Sequence, residues 1–316
     1  MSESPSRFLL QRLLAWPLVV LLTSLLIFLP TAVRERQGPG GRTAREMTYG
    51  RVEVCGECFV TRYSHFWQAL VTGDMPRSPR SKLTTPDAIG RGAPVTLTLI
   101  GLILAVAAPL GTLLGILLYR RQREGRGARW LLVTMLALAT PSFLLIGLLI
   151  TPAVEINRQF HIQVIRLVGG FSLDRGIIIP VVVLALRPTA YIARLTSIAL
   201  EDVFRQDFIR TARSKGLPEW RVWLRHAVPH LLVPWVAAVW GAVRFTFAAV
   251  LVVEVMMAWM GLGYLALDNL GAFGLARQTD LDQLAAIVTC LAVVFLALDT
   301  GIAFLLRRAD PQARGA

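Results

Sequence analysis

Charge is scarce in this chain: 17% of its 316 residues are Asp, Glu, Lys or Arg, against 55% that are hydrophobic. That balance excludes an ordinary soluble domain, in which about a quarter of the residues carry charge. Cysteine is scarcer still. Cys55, Cys58 and Cys290 are too few for a disulfide framework, and no second Cys or His pair stands at the spacing of a structural zinc site. The four histidines, His65, His161, His226 and His230, make no metal-spaced cluster inside an apolar run, which argues against a membrane metalloenzyme. A G-x-x-x-x-G-K-S/T loop is missing, so nothing in the chain can cradle ATP phosphates in the P-loop manner, and no catalytic residue or cofactor site is expected. Neither a solenoid-period repeat nor a Gly/Ser or acidic low-complexity tract sets off a second domain.

What the chain does have is long uncharged runs. Residues 13–33, 92–119 and 130–154 each pass without a charge, and each matches the roughly 20 residues needed to cross a bilayer. Three further runs hold one charge apiece: 177–193 with Arg187, 231–253 with Arg244, and 284–306 with Asp299. The sequence therefore predicts an all-α membrane protein of six spans. Residues 1–33 are a short tip and an uncleaved first span, 34–91 an extracytoplasmic insertion, 92–306 a core of five spans, and 307–316 a tail.

The net charge of +13 reports topology. Lys and Arg form no stripe with interleaved aromatics, so no nucleic-acid partner is expected. An even span count puts both ends on one side. Placing that side in the cytoplasm gathers Arg120, Arg121, Arg123, Arg126 and Arg129 into one inside loop, and puts Arg194, Arg205, Arg210, Arg213, Lys215, Arg221 and Arg225 into a second. The two short outside loops hold Arg158, Arg166, Arg175 and Arg277. The bias fits the positive-inside rule; the Arg-rich stretch 34–91 is long enough to be translocated regardless of its charge.

The second inside loop, 194–230, is longer than a connector needs and has helical periodicity of its own. Leu200, Phe204, Phe208 and Ala212 recur at i, i+4 and predict one apolar stripe. Gly216 then interrupts. Leu217, Trp220 and Leu224 resume the spacing, with Pro218 suited to a helix's first turn, so helix, Gly turn and short helix are expected at the inner membrane face. Periodicity alone also suits an interfacial helix pair resting on lipid headgroups.

The residues of this loop resemble a known family. Asp207-Phe208-Ile209-Arg210-Thr211-Ala212-Arg213-Ser214-Lys215-Gly216-Leu217, continuing through Arg225-His226-Ala227, is similar to the coupling-loop signature of binding-protein-dependent ABC importer permeases. The nearest likeness is to their dipeptide, oligopeptide and nickel branch. Arg210-Thr211-Ala212 stands in the first three places of the E-A-A-x-x-x-G pattern, Gly216 in its Gly place, and Val228-Pro229 where Leu-Pro is expected. Pro94 to Leu97, Pro109 to Gly111, Pro141 to Phe143, Val253 to Val255, Trp259 to Gly263 and Asp310-Pro311 extend the likeness from about residue 93 to the end. The first span lacks the Gly-Asp-Pro often found after it in this branch, and the outer insertion diverges.

The resemblance implies a bacterial inner-membrane subunit with both termini cytoplasmic. Its implied partners are a second homologous permease, two cytoplasmic subunits that bind ATP and Mg, and an external solute-binding protein. Asp207, Arg210, Thr211, Ala212, Lys215, Gly216, Leu217, Pro218, Arg225, His226 and Pro229 become the expected ATPase-coupling residues. The cargo, peptides or similar small solutes, is not readable from the residues.

Charges within the spans are weighed singly. Arg244, central in its span, is expected to line the pathway or to pair with Asp299, and Arg187 to snorkel toward the inner end. Glu254 matches a family position that implies a gate or a subunit-packing role. Trp259 to Gly263 reads as a helix-end turn, and Cys55 with Cys58 as either a local disulfide or two free thiols. The alternative from another class is an ion-coupled carrier or channel, which would place acidic or broken-helix sites near the midplane.

Overall fold

The computed structural model describes residues 5–29, 33–35, 52–54, 56–75, 77–78, 82–160, 171–173, 177–270 and 280–309. Most of these are helical, and a short antiparallel pair is formed by β1 (Val33–Glu35) and β2 (Val52–Val54), with Val33 opposite Val54. The helices are α1 (Pro5–Phe28), α2 (Gly56–Thr72), α3 (Thr85–Arg123), α4 (Gly127–Ala139), α5 (Ser142–Phe160), α6 (Ile178–Phe204), α7 (Asp207–Ser214), α8 (Glu219–Arg221), α9 (Val228–Met256), α10 (Leu262–Asn269) and α11 (Leu281–Ala309). A π-helical turn, Val222–Ala227, joins α8 to α9.

Among the described residues, four stretches are long and apolar enough to cross a membrane: Thr85–Arg123, Pro180–Phe204, Glu219–Met256 and Leu281–Ala309. The pair α4 and α5 would add one broken span, and Arg12–Phe28 is a shorter apolar helix. The six expected spans correspond to these six stretches, with three differences. The first helix stops at Phe28, with Leu29 in a 3-10 turn, and Val33, expected in the span, opens β1. The run 130–154 is two helices bent by more than 40°, because Thr140, ahead of Pro141, is extended at φ −78°, ψ 122°. The fourth run does not end near 193 but continues to Phe204, which moves Arg187 away from the helix end where snorkelling was expected.

The chain divides into two compact units, one built on Arg91–Tyr264 and the other on residues up to Gly90 with Leu265–Gly301. In the first, Leu99, Ile103 and Ala107 of α3, Leu184 and Ile192 of α6, and Ala242, Val250 and Val253 of α9 share one buried core. Helix α6 is its centre, buried along more of its apolar length than the helix containing α9. Gly111 and Gly115, four apart on α3, let that helix touch α6. A Cβ on Gly111 would lie 2.8 Å from Ile192 Cβ, and one on Gly115 2.7 Å from Thr196 Cβ. Small residues at this spacing are how apolar helices approach closely without a hydrophobic driving force.

In the second unit, Phe28 of α1 and Phe66 of α2 pack with Leu281, Leu284 and Ala285 of α11. Arg12 bonds Asp299 at 2.8 Å, and the Trp16 indole N–H donates to Thr300 Oγ1 at 3.2 Å. Part of the expected polar insertion is thus a helix, α2, seated on the first span: Ser24 and the Tyr63 hydroxyl are hydrogen-bonded at 2.9 Å. The side chains of Cys55 and Cys58 lie outside the described residues, while Cys290 is a half-buried free thiol.

Candidate functional site

The basic segment after α6 is built from three breaks in one helical path. The first lies at Arg205-Gln206, where Gln206 is extended (ψ 148°) and α7 restarts with Asp207 in its first turn, favourable to the helix dipole. Restarting turns the helix about its axis. Leu200, Phe204 and Ala212 are buried as expected, but Ile209 is fully buried in place of Phe208, which is 36% exposed and lies against the His230 ring at 4.5 Å between centroids. The apolar stripe is used inside the chain, where Tyr119, Phe204 and Trp223 close a ring cluster with centroid distances of 5.5, 4.7 and 6.2 Å.

The second break is the glycine turn. Gly216 has φ +74°. Its N–H donates to Arg213 O at 2.9 Å, and Leu217 N–H reaches back to Ala212 O at 3.4 Å, the paired bonds of a Schellman cap. Leu217 then packs onto the same cluster as Ala212. Across this turn Arg213 grips Glu219 with two bonds, Nε to Oε1 at 2.8 Å and Nη2 to Oε2 at 3.2 Å, and its guanidinium carbon stands 5.4 Å from the Phe204 ring centre. Two parallel bonds fix direction as well as distance.

The third break is the π turn. Pro218 is the cap of α8 and sits before its first turn, and the expected short separate helix instead runs on through Val222–Ala227 into α9. Pro229, in the first turn of α9, has no N–H to offer the Arg225 carbonyl, so the α ladder is interrupted where the wider turn lies.

Of the expected coupling residues, Asp207, Arg210, Thr211, Lys215, Gly216, Pro218, Arg225 and Pro229 are exposed, Leu217 and His226 half-buried, and Ala212 buried at 4%. The outward face is therefore basic and punctuated by apolar groups: Trp220 at 60% and Leu224 at 63% exposure, with the Arg221 guanidinium 5.1 Å from the Trp220 ring centre. The Arg213–Glu219 clamp was not legible in the sequence. Its only signal was opposite charge on either side of a glycine turn.

Glu254 occupies a different kind of place. It is fully buried; Thr96 donates its hydroxyl to Oε1 at 2.6 Å, and Gly263 N–H donates to Oε2 at 2.8 Å. Thr96 Oγ1 in turn accepts Leu262 N–H at 3.0 Å. Two side chains from α3 and α9 thus cap the start of α10. A Cβ at Gly261 would collide with the carboxylate itself. The turn leading there is the expected helix end: Ala258 has φ +52°, Ala258 N–H donates to Val255 O at 3.2 Å and Trp259 N–H to Glu254 O at 2.9 Å. The Glu254 carboxylate is thus turned inward, bonded to Thr96 and Gly263. Arg187 stacks on Phe245, 5.3 Å from the ring centre, and Arg244 is exposed on α9.

A family model described as "Binding-protein-dependent transport system inner membrane component" matches residues 109–315. The chain is 27% identical over 207 residues to a dipeptide transport system permease protein of Bacillus subtilis, covering 65% of each chain. It is 30% identical over 221 residues to an oligopeptide transport system permease protein of Mycobacterium tuberculosis, covering 65% of this chain and 66% of that protein. The matches thus span about two thirds of those relatives' length. With α7, the glycine turn and the four long apolar helices lying within or across the matched region, the chain belongs to the family of binding-protein-dependent transport system inner membrane components.

Proposed function

We propose that this chain is one half of the membrane pathway of an ATP-driven importer, working with a second permease subunit, two cytoplasmic subunits that bind ATP and Mg, and an external solute-binding protein. The chain itself performs no catalysis and binds no cofactor. Its cargo is peptides or similar small solutes, in keeping with what the names of its relatives say of those proteins. Both termini and the segment 194–230 face the cytoplasm, the arrangement that the loop arginines favour.

The observation that supports this most is the construction of 207–229. Its apolar residues anchor it to its own spans, while its basic face is held outward by the Gly216 turn and the Arg213–Glu219 clamp. A protruding basic knob with Trp220 and Leu224 at its rim suits a groove that is apolar within and acidic at its edge. No observation favours the ion-coupled alternative: the carboxylate of Glu254 is sealed by Thr96 and Gly263, and Asp299 is engaged by Arg12.

The test is co-purification. The full chain, expressed with its genomic neighbours, should retain an ATPase subunit, and Arg210→Glu combined with Lys215→Glu should release it while the chain stays inserted. Retention by that double variant, or full uptake with every candidate ATPase deleted, overturns the reading.

A further inference from the structure

A cavity of about 220 Å³ lies between α3, α6 and α9, with Trp223 of the π turn in its wall. The wall presents only carbon. Trp235 and Thr112 spend their polar atoms on each other, the indole N–H donating to Thr112 Oγ1 at 2.8 Å. A peptide in such a space would leave its N–H and C=O groups without partners, so this is no station for polar cargo. At about 30 Å³ apiece it holds roughly seven methylene- or water-sized groups, and it falls short of the roughly 300–1,000 Å³ of a site that encloses a small molecule. Leu232 and Val228, which line it, are 60% and 46% exposed, so the space is open to whatever surrounds the spans.

One end of the cavity is charged. Thr112, Ile116 and Arg120 stand four apart on α3 and share one face. The first two line the cavity, and Arg120 comes one turn beyond them. Its guanidinium carbon lies 5.7 Å from the centre of the Trp223 ring. Arg120 is exposed and has no carboxylate partner among the described residues, unlike Arg121, which bonds Glu124 at 3.3 Å. A guanidinium laid against a ring keeps its N–H edge for a two-pronged acceptor, phosphate above all. An aromatic and a cation at one level also suit the boundary between headgroups and hydrocarbon. Along α3, Arg120 to Thr112 is about 12 Å, against about 15 Å for the hydrocarbon of one leaflet. The cavity thus runs from headgroup depth most of the way to the midplane.

We propose that this cavity is a lipid site: it takes one acyl chain of an anionic phospholipid, whose phosphate is bound by Arg120. A single phosphate-bearing chain meets both features at once, the carbon-lined slot and the unpaired cation at its end, whereas an apolar side chain of another subunit would use only the first. Trp223 belongs to the Val222–Ala227 turn, so the lipid packs against the link between the basic segment and α9. On the orientation proposed above, the lipid comes from the cytoplasmic leaflet.

The experiment places the full chain, with any subunits that co-purify, in liposomes of equal parts phosphatidylglycerol and phosphatidylcholine in both leaflets. One lipid or the other carries a diazirine partway along an acyl chain, and adducts are mapped by peptide mass spectrometry after irradiation. Peptides containing Ile116 and Leu231 should label about fivefold more with phosphatidylglycerol, the preference that one arginine confers at an anionic surface. Leu132 and Leu136, exposed on α4, should label equally with both. Arg120→Gln should bring the cavity ratio within about twofold, and Arg120→Lys should keep most of it. Ala199→Leu, which fills the slot, should lower cavity labelling severalfold; Leu232→Trp at the exposed edge tests the same point if that variant fails to fold. Equal ratios at the cavity and on α4, an unchanged ratio in Arg120→Gln, or labelling that the blocking variants leave intact overturns the site. A benzoylphenylalanine at position 232 that crosslinks to another protein subunit, with no lipid adduct in the cavity, overturns it as well. The readout needs no ATP and the leaflets are alike, so failure of the importer reading or of the orientation would show elsewhere, in co-purification and in topology, and not here.

Discussion

Thr96 and Glu254, 158 positions apart in sequence, share a 2.6 Å hydrogen bond inside a fully buried pocket. The pair acts as one cap: the hydroxyl takes Leu262 N–H, the carboxylate takes Gly263 N–H, and α10 starts from the two together. Glu254→Ala leaves Gly263 N–H without its acceptor and the Thr96 hydroxyl with only its longer bond to the Gly92 carbonyl, and should cost about 1–3 kcal/mol. Glu254→Gln should cost clearly less, since a flipped amide can accept from Gly263 while Thr96 accepts from it. Thermal unfolding in detergent should rank the variants in that order. Equal midpoints would mean that water enters and replaces the carboxylate.

Gly216 is the one residue of the basic segment whose backbone demands glycine, with φ +74° at a Schellman cap. Alanine there should cost about 1–2 kcal/mol of local stability, and proline, which cannot adopt that φ, should dissolve the turn. The expected result is an inserted chain with a protease-sensitive loop and no ATP-coupled uptake for Gly216→Pro. Intact coupling would separate the turn from the mechanism.

The Arg213–Glu219 clamp is partly exposed, at 35% and 60% of the two side chains. Screening limits its worth to about 0.5–1 kcal/mol. Its importance should therefore be directional. Arg213→Glu should reduce coupled ATP hydrolysis with little change in melting temperature, and the exchange Arg213→Glu with Glu219→Arg should restore part of it. Absence of rescue would assign Arg213 to its place over the Phe204 ring.

Helices α3 and α6 meet where neither Gly111 nor Gly115 has room for a Cβ. Gly115→Leu should separate them, at a cost of several times the roughly 1–3 kcal/mol of an ordinary overpacked site. Little folded protein should be recovered, whereas Gly101→Ala, with open space around it, should be silent. Comparable yields of the two would argue against close approach at this crossing.

The spans were legible because a bilayer imposes one length on any apolar helix, and the glycine turn because Gly216 followed by Leu-Pro has few other uses. Finer features were hidden for physical reasons. Phe208 and Ile209 exchanged places because spacing was read through Arg205-Gln206, where the helix restarts. The long uncharged run 130–154 concealed a break at Pro141. Arg194 ends the uncharged run and so sets Arg187 near a helix end in the sequence, yet the helix passes Arg194 and continues to Phe204. Thr96 lies within the Pro94 to Leu97 likeness, but nothing local marks its role as a cap, since its partners lie on α9 and at the start of α10.

From Glu219 to Met256 the chain is a single helix of 38 residues, about 57 Å at 1.5 Å per residue. One end carries the solvent-facing Trp220, the other the sealed carboxylate. A rod without a loop in it cannot absorb a push: tipping it by only about 5° at the foot would sweep the head sideways by about 5 Å over that length, more than the reach of any hydrogen bond holding Glu254. The give along the shaft lies at the wide turn Val222–Ala227 and at Pro234, where the ladder lacks a donor, so the stiffness of those two places decides how much of a shove below arrives above.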